Sequence, residues 1–198
     1  YSTNTAYNTA AYSMGTIFLH QMKYIIGQDV FYKGMRQYYD AWKFRHPEPN
    51  DFIRVMEKAS GLELKWYLNY WIYTTKKIDY GIRNVITKDG ATFITLERIG
   101  EFPMPVDLVI SYADGTKELL YIPTNETMGN KQPENKSLTQ KDLETWPWVY
   151  PTYTLKVNNT AEITSIEIDP SMRMADVDRK NNTINLAEEL KPFEDPIR

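Results

Sequence analysis

The chain has 198 residues, of which 42% are hydrophobic, enough for one or two domains with a hydrophobic core. Its formal net charge of −3 gives no indication of a nucleic-acid partner or of binding to an anionic membrane, and no run of about eighteen apolar residues could span a membrane. Cysteine is absent, which excludes disulfides and thiolate metal sites. The compartment stays open, with a periplasmic or extracytoplasmic location as one alternative.

The first residues differ from those expected at the start of a complete protein. Residues 1–4 (YSTN) include no initiator methionine, and neither a basic n-region nor an apolar h-region of a signal peptide follows them. We therefore expect the sequence to be an excised piece of a longer protein.

Residues 7–26 predict an amphipathic helix, because apolar residues recur at steps of three or four. The residues on this face are Tyr7, Ala11, Met14, Phe18, Met22 and Ile25. The same helix contains Tyr12, five residues after Tyr7, and Gly15 stands where a helix interior favours alanine. The glycine suggests close packing against another backbone or a bound chain. Periodicity alone favours Tyr7 and Tyr12 as core aromatics with hydroxyls at the rim.

Three further helices are expected before residue 77. Their apolar stripes begin at Phe31, Phe52 and Leu64, and the breaks between them fall near Pro47 and at Ser60-Gly61. Four helices with short connections predict a helical array over residues 1–77.

From Tyr80 onward the hydrophobic period is two, which predicts strands. Asp89-Gly90 and Asp114-Gly115 are typical of hairpin turns. Val106, Leu108 and Ile110 are expected to face inward because they alternate with Asp107 and Ser111, whereas Val109 interrupts the alternation and is a candidate to pack on a neighbouring layer. Six or seven strands predict a small antiparallel β-sandwich over residues 78–175, and the fold class is therefore α+β.

Two segments are polar. Residues 124–146 are predicted to form a long loop, and residues 176–198 a charged, asparagine-rich tail. The loop ends in Trp146-Pro147-Trp148, which is either an exposed aromatic platform or, as we favour, a cover folded back on the strands.

The spacing of the two histidines does not fit a metal site. A zinc peptidase has two histidines on one helix, as in H-E-x-x-H, whereas His20 and His46 lie on different predicted helices with no partner four residues away. We expect His20 to be a core or interface residue and His46 to interact with a helix C-terminus. No metal ligand is predicted in this chain.

An ordered series of short motifs does point to a family. The series is Tyr12-x-x-Gly15, Ile26-Gly27-x-x-x-Phe31, Tyr38-Tyr39, Asp51-Phe52, Ser60-Gly61 and Trp71. It resembles the segment downstream of the zinc site in the aminopeptidase N family of gluzincin metallopeptidases. The resemblance covers residues 1 to about 75, and the later strands are similar, with weaker motifs, to the β domain that follows in these enzymes.

The resemblance implies functions for two tyrosines. The residue matching Tyr12 is catalytic in the family: its hydroxyl donates a hydrogen bond to the oxyanion formed when zinc-bound water attacks the peptide carbonyl. Tyr7 is expected to bind substrate by lining the pocket for its first side chain. The family's zinc ligands and general base lie upstream of the matching segment. The resemblance thus implies zinc in the full-length parent, none in this piece, a peptide substrate, and an upstream catalytic domain of the same chain as partner; the isolated piece is expected to be inactive.

Two alternatives remain open. The chain is alternatively a non-catalytic β-sandwich binding module with a helical adaptor, in which the exposed aromatics recognise a ligand. A purely structural spacer would fit if Tyr12 were buried with no cleft beside it.

Overall fold

Helices fill the first part of the chain and strands most of the rest, as the change of period predicts. The structure, a computed structural model, describes residues 3–134, 137–158 and 161–186. The α-helices are α1 (Asn4–Asn8), α2 (Gly15–Ile26), α3 (Gln28–Trp42), α4 (Pro49–Ser60) and α5 (Lys65–Tyr73). Within these ranges, no helix is long and apolar enough to cross a membrane.

Residues Thr9–Met14, between α1 and α2, form a π-helical segment. The residues at both of its ends keep right-handed helical dihedral angles, so α1, this segment and α2 make one continuous helix. We call these three elements together the first helix. It ends where expected, at Gly27, whose φ of 88° is accessible because glycine has no Cβ.

The strands are β1 (Tyr80–Lys88), β2 (Ala91–Arg98), β3 (Val106–Tyr112), β4 (Lys117–Ile122), β5 (Gln140–Asp142), β6 (Thr152–Asn158), β7 (Ile163–Ile168) and β8 (Thr183–Asn185). They form a three-stranded sheet in the order β1-β2-β6 and a five-stranded sheet in the order β5-β4-β3-β7-β8. Both Asp-Gly turns lie where predicted, between β1 and β2 and between β3 and β4. The α+β class is confirmed, and the face-to-face sandwich stays a prediction.

The larger sheet is mixed, so the expectation of purely antiparallel pairing is wrong for it. Strand β5 pairs in parallel with β4, whereas the other strand pairs are antiparallel. A parallel neighbour requires a crossover connection, and β5 itself lies within residues 124–146, predicted only as a polar loop.

Strand β3 differs from the predicted alternation. Val106, Leu108 and Ile110 are completely buried, as expected, but Asp107 and Val109 are only 7% exposed. Strand β3 lies in the centre of its sheet between β4 and β7, and both of its faces are covered. The prediction that Asp107 faces outward is therefore wrong, because alternation does not distinguish a solvated face from one covered by another layer.

Residues 176–186, the described part of the predicted polar tail, are packed on the strands. Strand β8 pairs with β7, and the backbone N–H of Tyr80 donates to the Asp176 carboxylate at 3.0 Å. Arg179 forms an ion pair with the buried Asp169 at 3.1 Å. Residues 176–186 thus pack on the strands through polar groups, which composition alone does not reveal. The rest of the predicted tail, residues 187–198, lies outside the described residues.

Helices and strands share one hydrophobic core. A single cluster of buried side chains contains Met22 and Met56 from the helices together with Leu96 and Leu108 from the two sheets. Phe102, in the connection between β2 and β3, contacts four aromatic rings of α5 at centroid distances of 5.1–6.4 Å. The division into a helical domain (1–77) and a β domain (78–175) stays a prediction, because the core is continuous across residue 77.

Candidate functional site

Tyr12 lies in the π-helical segment of the first helix, and this placement brings it to Tyr7. Five residues of α-helix turn through about 500°, so side chains at that spacing diverge, whereas i→i+5 bonding brings residues five apart nearly into line. The Tyr7 and Tyr12 rings accordingly contact each other edge to face, with centroids 6.0 Å apart and planes at 86°. Single π-helical turns occur frequently at functional sites.

Both phenols lie at the surface. The exposed fraction is 64% for Tyr12 and 46% for Tyr7, so the interpretation as core aromatics is not supported within the described chain. No hydrogen bond from the Tyr12 hydroxyl to any described residue is found, although its backbone carbonyl accepts one from the Thr16 hydroxyl at 2.8 Å. A Cβ added at Gly15 would meet nothing within 4 Å, so the expected close packing does not come from the described part of this chain.

The second half of the first helix is packed by α5. Phe18 stacks on Tyr67 with ring centroids 5.0 Å apart, and the Tyr67 hydroxyl donates to the Phe18 carbonyl at 2.7 Å. Met22 and Ile25, which follow Phe18 on the predicted apolar face, are completely buried. The predicted face is thus covered from Phe18 onward and open before it.

Polar side chains also join this half of the helix to the strands. Gln21, 1% exposed, donates from Nε2 to the Arg173 carbonyl at 2.6 Å and accepts from the Ala175 N–H at 3.0 Å. The Tyr24 hydroxyl donates to the Pro105 carbonyl at 3.3 Å and accepts from the Asp107 N–H at 3.1 Å. Burial raises the pKa of Tyr24, and the nearby Asp107 carboxylate acts in the same direction.

A group of buried charges lies beside Tyr24. Lys131, 3% exposed, donates from Nζ to Asp107 Oδ2 at 2.6 Å, and its Nζ lies 4.6 Å from the centre of the Tyr24 ring. Glu134 lies 3.6 Å from the same Nζ and forms a bidentate pair with Arg173 at 3.1 and 2.6 Å. Glu134 also accepts the backbone N–H of Gln28, in the first turn of α3, at 2.7 Å.

We call Gln21, Tyr24, Asp107, Lys131, Glu134 and Arg173 the polar network. Sequence analysis did not find it, since Lys131 and Glu134 belong to the segment predicted as a solvated loop. The one indication in the sequence is Asp107, a carboxylate between Val106 and Leu108 in a strongly apolar strand. Such a residue indicates a paired charge when both faces of its strand are covered.

Burial and pairing shift the pKa values of the two carboxylates in opposite directions. Burial raises the pKa of Asp107, although Lys131 opposes this, and Asp107 Oδ1 has no hydrogen-bond partner among the described residues. Burial also acts to raise the pKa of Glu134. The hydrogen bonds from Arg173 and from the Gln28 N–H, together with the charge of Lys131, nevertheless hold it below its usual range.

The described residues do not fit a zinc site. His20 and His46 are both exposed and lie on different parts of the fold. Of the two alternatives for His20, the core position is wrong and the interface position stays a prediction. Across residues 3–134, 137–158 and 161–186, no group of three histidine, cysteine, aspartate or glutamate side chains could hold a metal ion.

Comparisons with known proteins find similarity to one family of peptidases. Residues 1–71 match the Peptidase family M1 domain. The chain is 27% identical over 95 residues to mitochondrial aminopeptidase 2 of Saccharomyces cerevisiae and 28% identical over 94 residues to human glutamyl aminopeptidase. Each alignment covers 48% of this chain but only 10% and 9% of the respective relative, so the chain spans about a tenth of their length.

A solved structure has the same fold over most of the chain. The crystal structure of Legionella pneumophila aminopeptidase A in complex with aspartic acid matches 87% of this chain and 18% of its own, with a TM-score of 0.56 and 12% identity. Because the sequence identity is only 12%, this similarity is evidence for a shared fold and for nothing further. Together with the matched domain, it confirms the predicted resemblance: the chain is related to the M1-family aminopeptidases and corresponds to a part of their length.

Proposed function

We propose that this chain is part of a zinc-dependent aminopeptidase that hydrolyses N-terminal peptide bonds, and that it supplies the Tyr12 hydroxyl and one wall of the substrate cleft. The zinc ligands and general base would come from an upstream catalytic domain of the same protein, since the described residues do not fit a metal site. By itself the chain would be inactive.

One observation carries the proposal above the others. Tyr12 is 64% exposed on a helical segment that has no buried residue and no extensive contact with any described helix or strand outside the first helix. Short helical turns are marginal in water without packing, so we infer that another part of the protein covers this surface. A phenol on that surface would then lie at a boundary between two parts of one enzyme.

The chemistry assigned to Tyr12 requires only a fixed donor. When a peptide carbonyl is attacked, negative charge develops on its oxygen, and a hydroxyl already aimed at that position stabilises the transition state without reorganisation. A ring on a helix has few degrees of freedom, and the contact with Tyr7 restricts it further. In this proposal Tyr7 also lines the pocket for the first side chain of the substrate.

The test replaces Tyr12 by phenylalanine in the enzyme that contains this chain. Tyr12→Phe removes the donor and keeps the ring, so kcat should fall about 10²–10³-fold while KM changes little. Tyr39→Phe is the matched control, because Tyr39 is also 64% exposed but lies on α3. Wild-type activity of a folded Tyr12→Phe variant would refute the proposal. In the same assay, Tyr7→Ala should change the ranking of substrates by the size of their first side chain; an unchanged ranking would exclude Tyr7 from the pocket.

A second candidate function rests on another surface. Trp146 is 5% exposed and folds back on the strands, as favoured from the sequence, but Trp148 and Tyr150 are 43% and 61% exposed. Their turn is held by hydrogen bonds from the Trp148 N–H to Asn125 and from Arg98 to the Trp148 carbonyl. A non-catalytic binding module would use these rings. In that case Trp148→Ala would abolish binding of a partner, and Tyr12→Phe would have no effect.

A further inference from the structure

The second half of the first helix is fixed to distant parts of the chain. Residues 4–17 lack buried side chains, whereas the two successive turns at Gln21 and Tyr24 form hydrogen bonds with residues far away in sequence. Gln21 is the member of the polar network that lies nearest to Tyr12 along the chain. Its two partners, the carbonyl of Arg173 and the N–H of Ala175, are on the connection between β7 and β8.

We propose that Gln21 is a positioning residue: by clamping the first helix to residues 173–175, it sets the direction in which the Tyr12 hydroxyl points. The proposal rests on the function proposed above and adds a purpose for the strands. The strands and the β7–β8 connection would serve as the scaffold that aims the catalytic tyrosine, although the hydrogen bond and the ring contact found for Tyr12 among the described residues are with Thr16 and Tyr7 of its own helix.

The geometry makes the position of Tyr12 sensitive to this clamp. Tyr12 precedes Gln21 by nine residues, which at a rise of about 1.5 Å per residue is roughly 13 Å along the helix axis. A tilt of about 5° at Gln21 therefore displaces Tyr12 by about 1 Å, and a displacement of that size in a reacting group can cost up to ~10²-fold in rate. Two hydrogen bonds from one buried amide restrain such a tilt better than apolar contacts, which have no fixed direction.

The rest of the polar network holds the partner of Gln21 in place. Arg173, whose carbonyl Gln21 contacts, is paired through its guanidinium with Glu134, and Glu134 also receives the N–H at the start of α3. Arg173 is thereby attached to the start of α3, the helix that directly follows α2. Glu134→Gln should loosen the clamp less than a change at Gln21, because the Arg173 carbonyl remains available.

The first experiment measures the direction of the helix in this chain without any assay of activity. The chain has no cysteine, so Ser13→Cys and Lys117→Cys, both at exposed positions, create two unique sites for spin labels. Methionine is similar in size to glutamine, and Gln21→Met removes both hydrogen bonds. The variant should widen the distribution of distances between the two labels by about 2 Å, which corresponds to a swing of the first helix about Gln21 of roughly 10°. Gln37→Met, on the exposed surface of α3, is the matched control and should leave the distribution unchanged. An unchanged distribution in the folded Gln21→Met protein would overturn the proposal.

The second experiment measures the catalytic consequence in the enzyme that contains this chain. Gln21→Met should lower kcat about tenfold with KM within about twofold, and Glu134→Gln, a milder variant in case Gln21→Met does not fold, should lower kcat about threefold. In a Tyr12→Phe background neither change should reduce kcat further, because the group being positioned is gone. Fully additive losses would refute the positioning role and leave the proposed function intact. Wild-type activity of Tyr12→Phe would instead refute the proposed function, and the positioning proposal with it.

Discussion

The two halves of the first helix have the same apolar pattern and opposite surroundings. In residues 18–26, Phe18 packs against α5 and Met22 is completely buried; Gln21 is hydrogen-bonded to the connection between β7 and β8, and Tyr24 to β3. Residues 4–17 continue the apolar stripe, yet Met14 is 42% exposed and Gly15 faces open space. In the proposed enzyme, another part of the protein would cover the exposed half of this apolar stripe.

The comparison matters for function because Tyr12 lies in the open half. If the open half were only frayed or badly packed, its tyrosines would have no defined direction and no catalytic value. If it is a surface completed by another part of an enzyme, its sequence should contribute little to the stability of this chain and much to activity. Two measurements on this chain separate the halves, and a third tests the polar network beside the packed half; they follow from the largest expected effect to the smallest.

The largest difference is expected between two methionines of the same helix. Met22 is completely buried, and Met22→Ala should destabilise the chain by about 2–5 kcal/mol through lost contacts and a residual cavity. Met14→Ala, in the open half, should change the free energy of unfolding by less than about 0.5 kcal/mol. Urea denaturation of both variants measures this. Equal losses would show that the open half is packed in solution and would remove the basis of the comparison.

A smaller difference is expected between two hydroxyl groups. Tyr67→Phe removes the hydrogen bond to the Phe18 carbonyl and should cost about 0.5–1.5 kcal/mol. Tyr12→Phe should leave the stability of this chain unchanged, since its hydroxyl is at the surface. Thermal unfolding of the pair tests both statements. A marked loss of stability in Tyr12→Phe would mean that the hydroxyl is a structural donor.

The smallest effect concerns pH and the polar network. The pKa of Glu134 in the folded chain lies below its usual value of 4.5, so its stabilising contribution is complete above about pH 4.5 and is lost as the pH falls through the folded pKa. Because Glu134 is partly exposed, we expect Glu134→Gln to cost less than about 1 kcal/mol at pH 7. The difference in Tm between the wild type and this variant should therefore shrink as the pH falls below 4.5.

The difference in Tm between the wild type and Glu134→Gln reports mainly on the Glu134 carboxylate and little on Asp107. The pKa of Asp107 is raised by burial, so protonation of Asp107 favours the folded state as the pH falls, which is opposite in sign to Glu134. This contribution is present in both proteins and largely cancels in the difference. A Tm difference that grows in acid would contradict the assigned direction for Glu134.

Features that depend on neighbouring residues in the sequence were predictable. The change from helices to strands near residue 77, the end of the first helix at Gly27 and the two Asp-Gly turns follow from periodicity and from glycine's access to positive φ. The resemblance to the aminopeptidases also follows from the order and spacing of residues such as Tyr12 and Gly15. The catalytic assignment of Tyr12 remains a proposal, since spacing does not establish what the hydroxyl contacts.

The sequence by itself determined where the longer helices and strands lie and which face of most of them is apolar, because those properties depend on residues a few positions apart; the short strands β5 and β8 lay in segments predicted as a loop and a tail. Only the tertiary structure decided which apolar faces are covered, that Asp107 and Lys131 form a buried pair, and that Gln21 is joined to residues more than 150 positions away. The physical reason is that burial depends on what packs against a surface, and a polar residue is retained inside when a partner happens to meet it there. That partner comes from a distant part of the chain, and no local pattern specifies it.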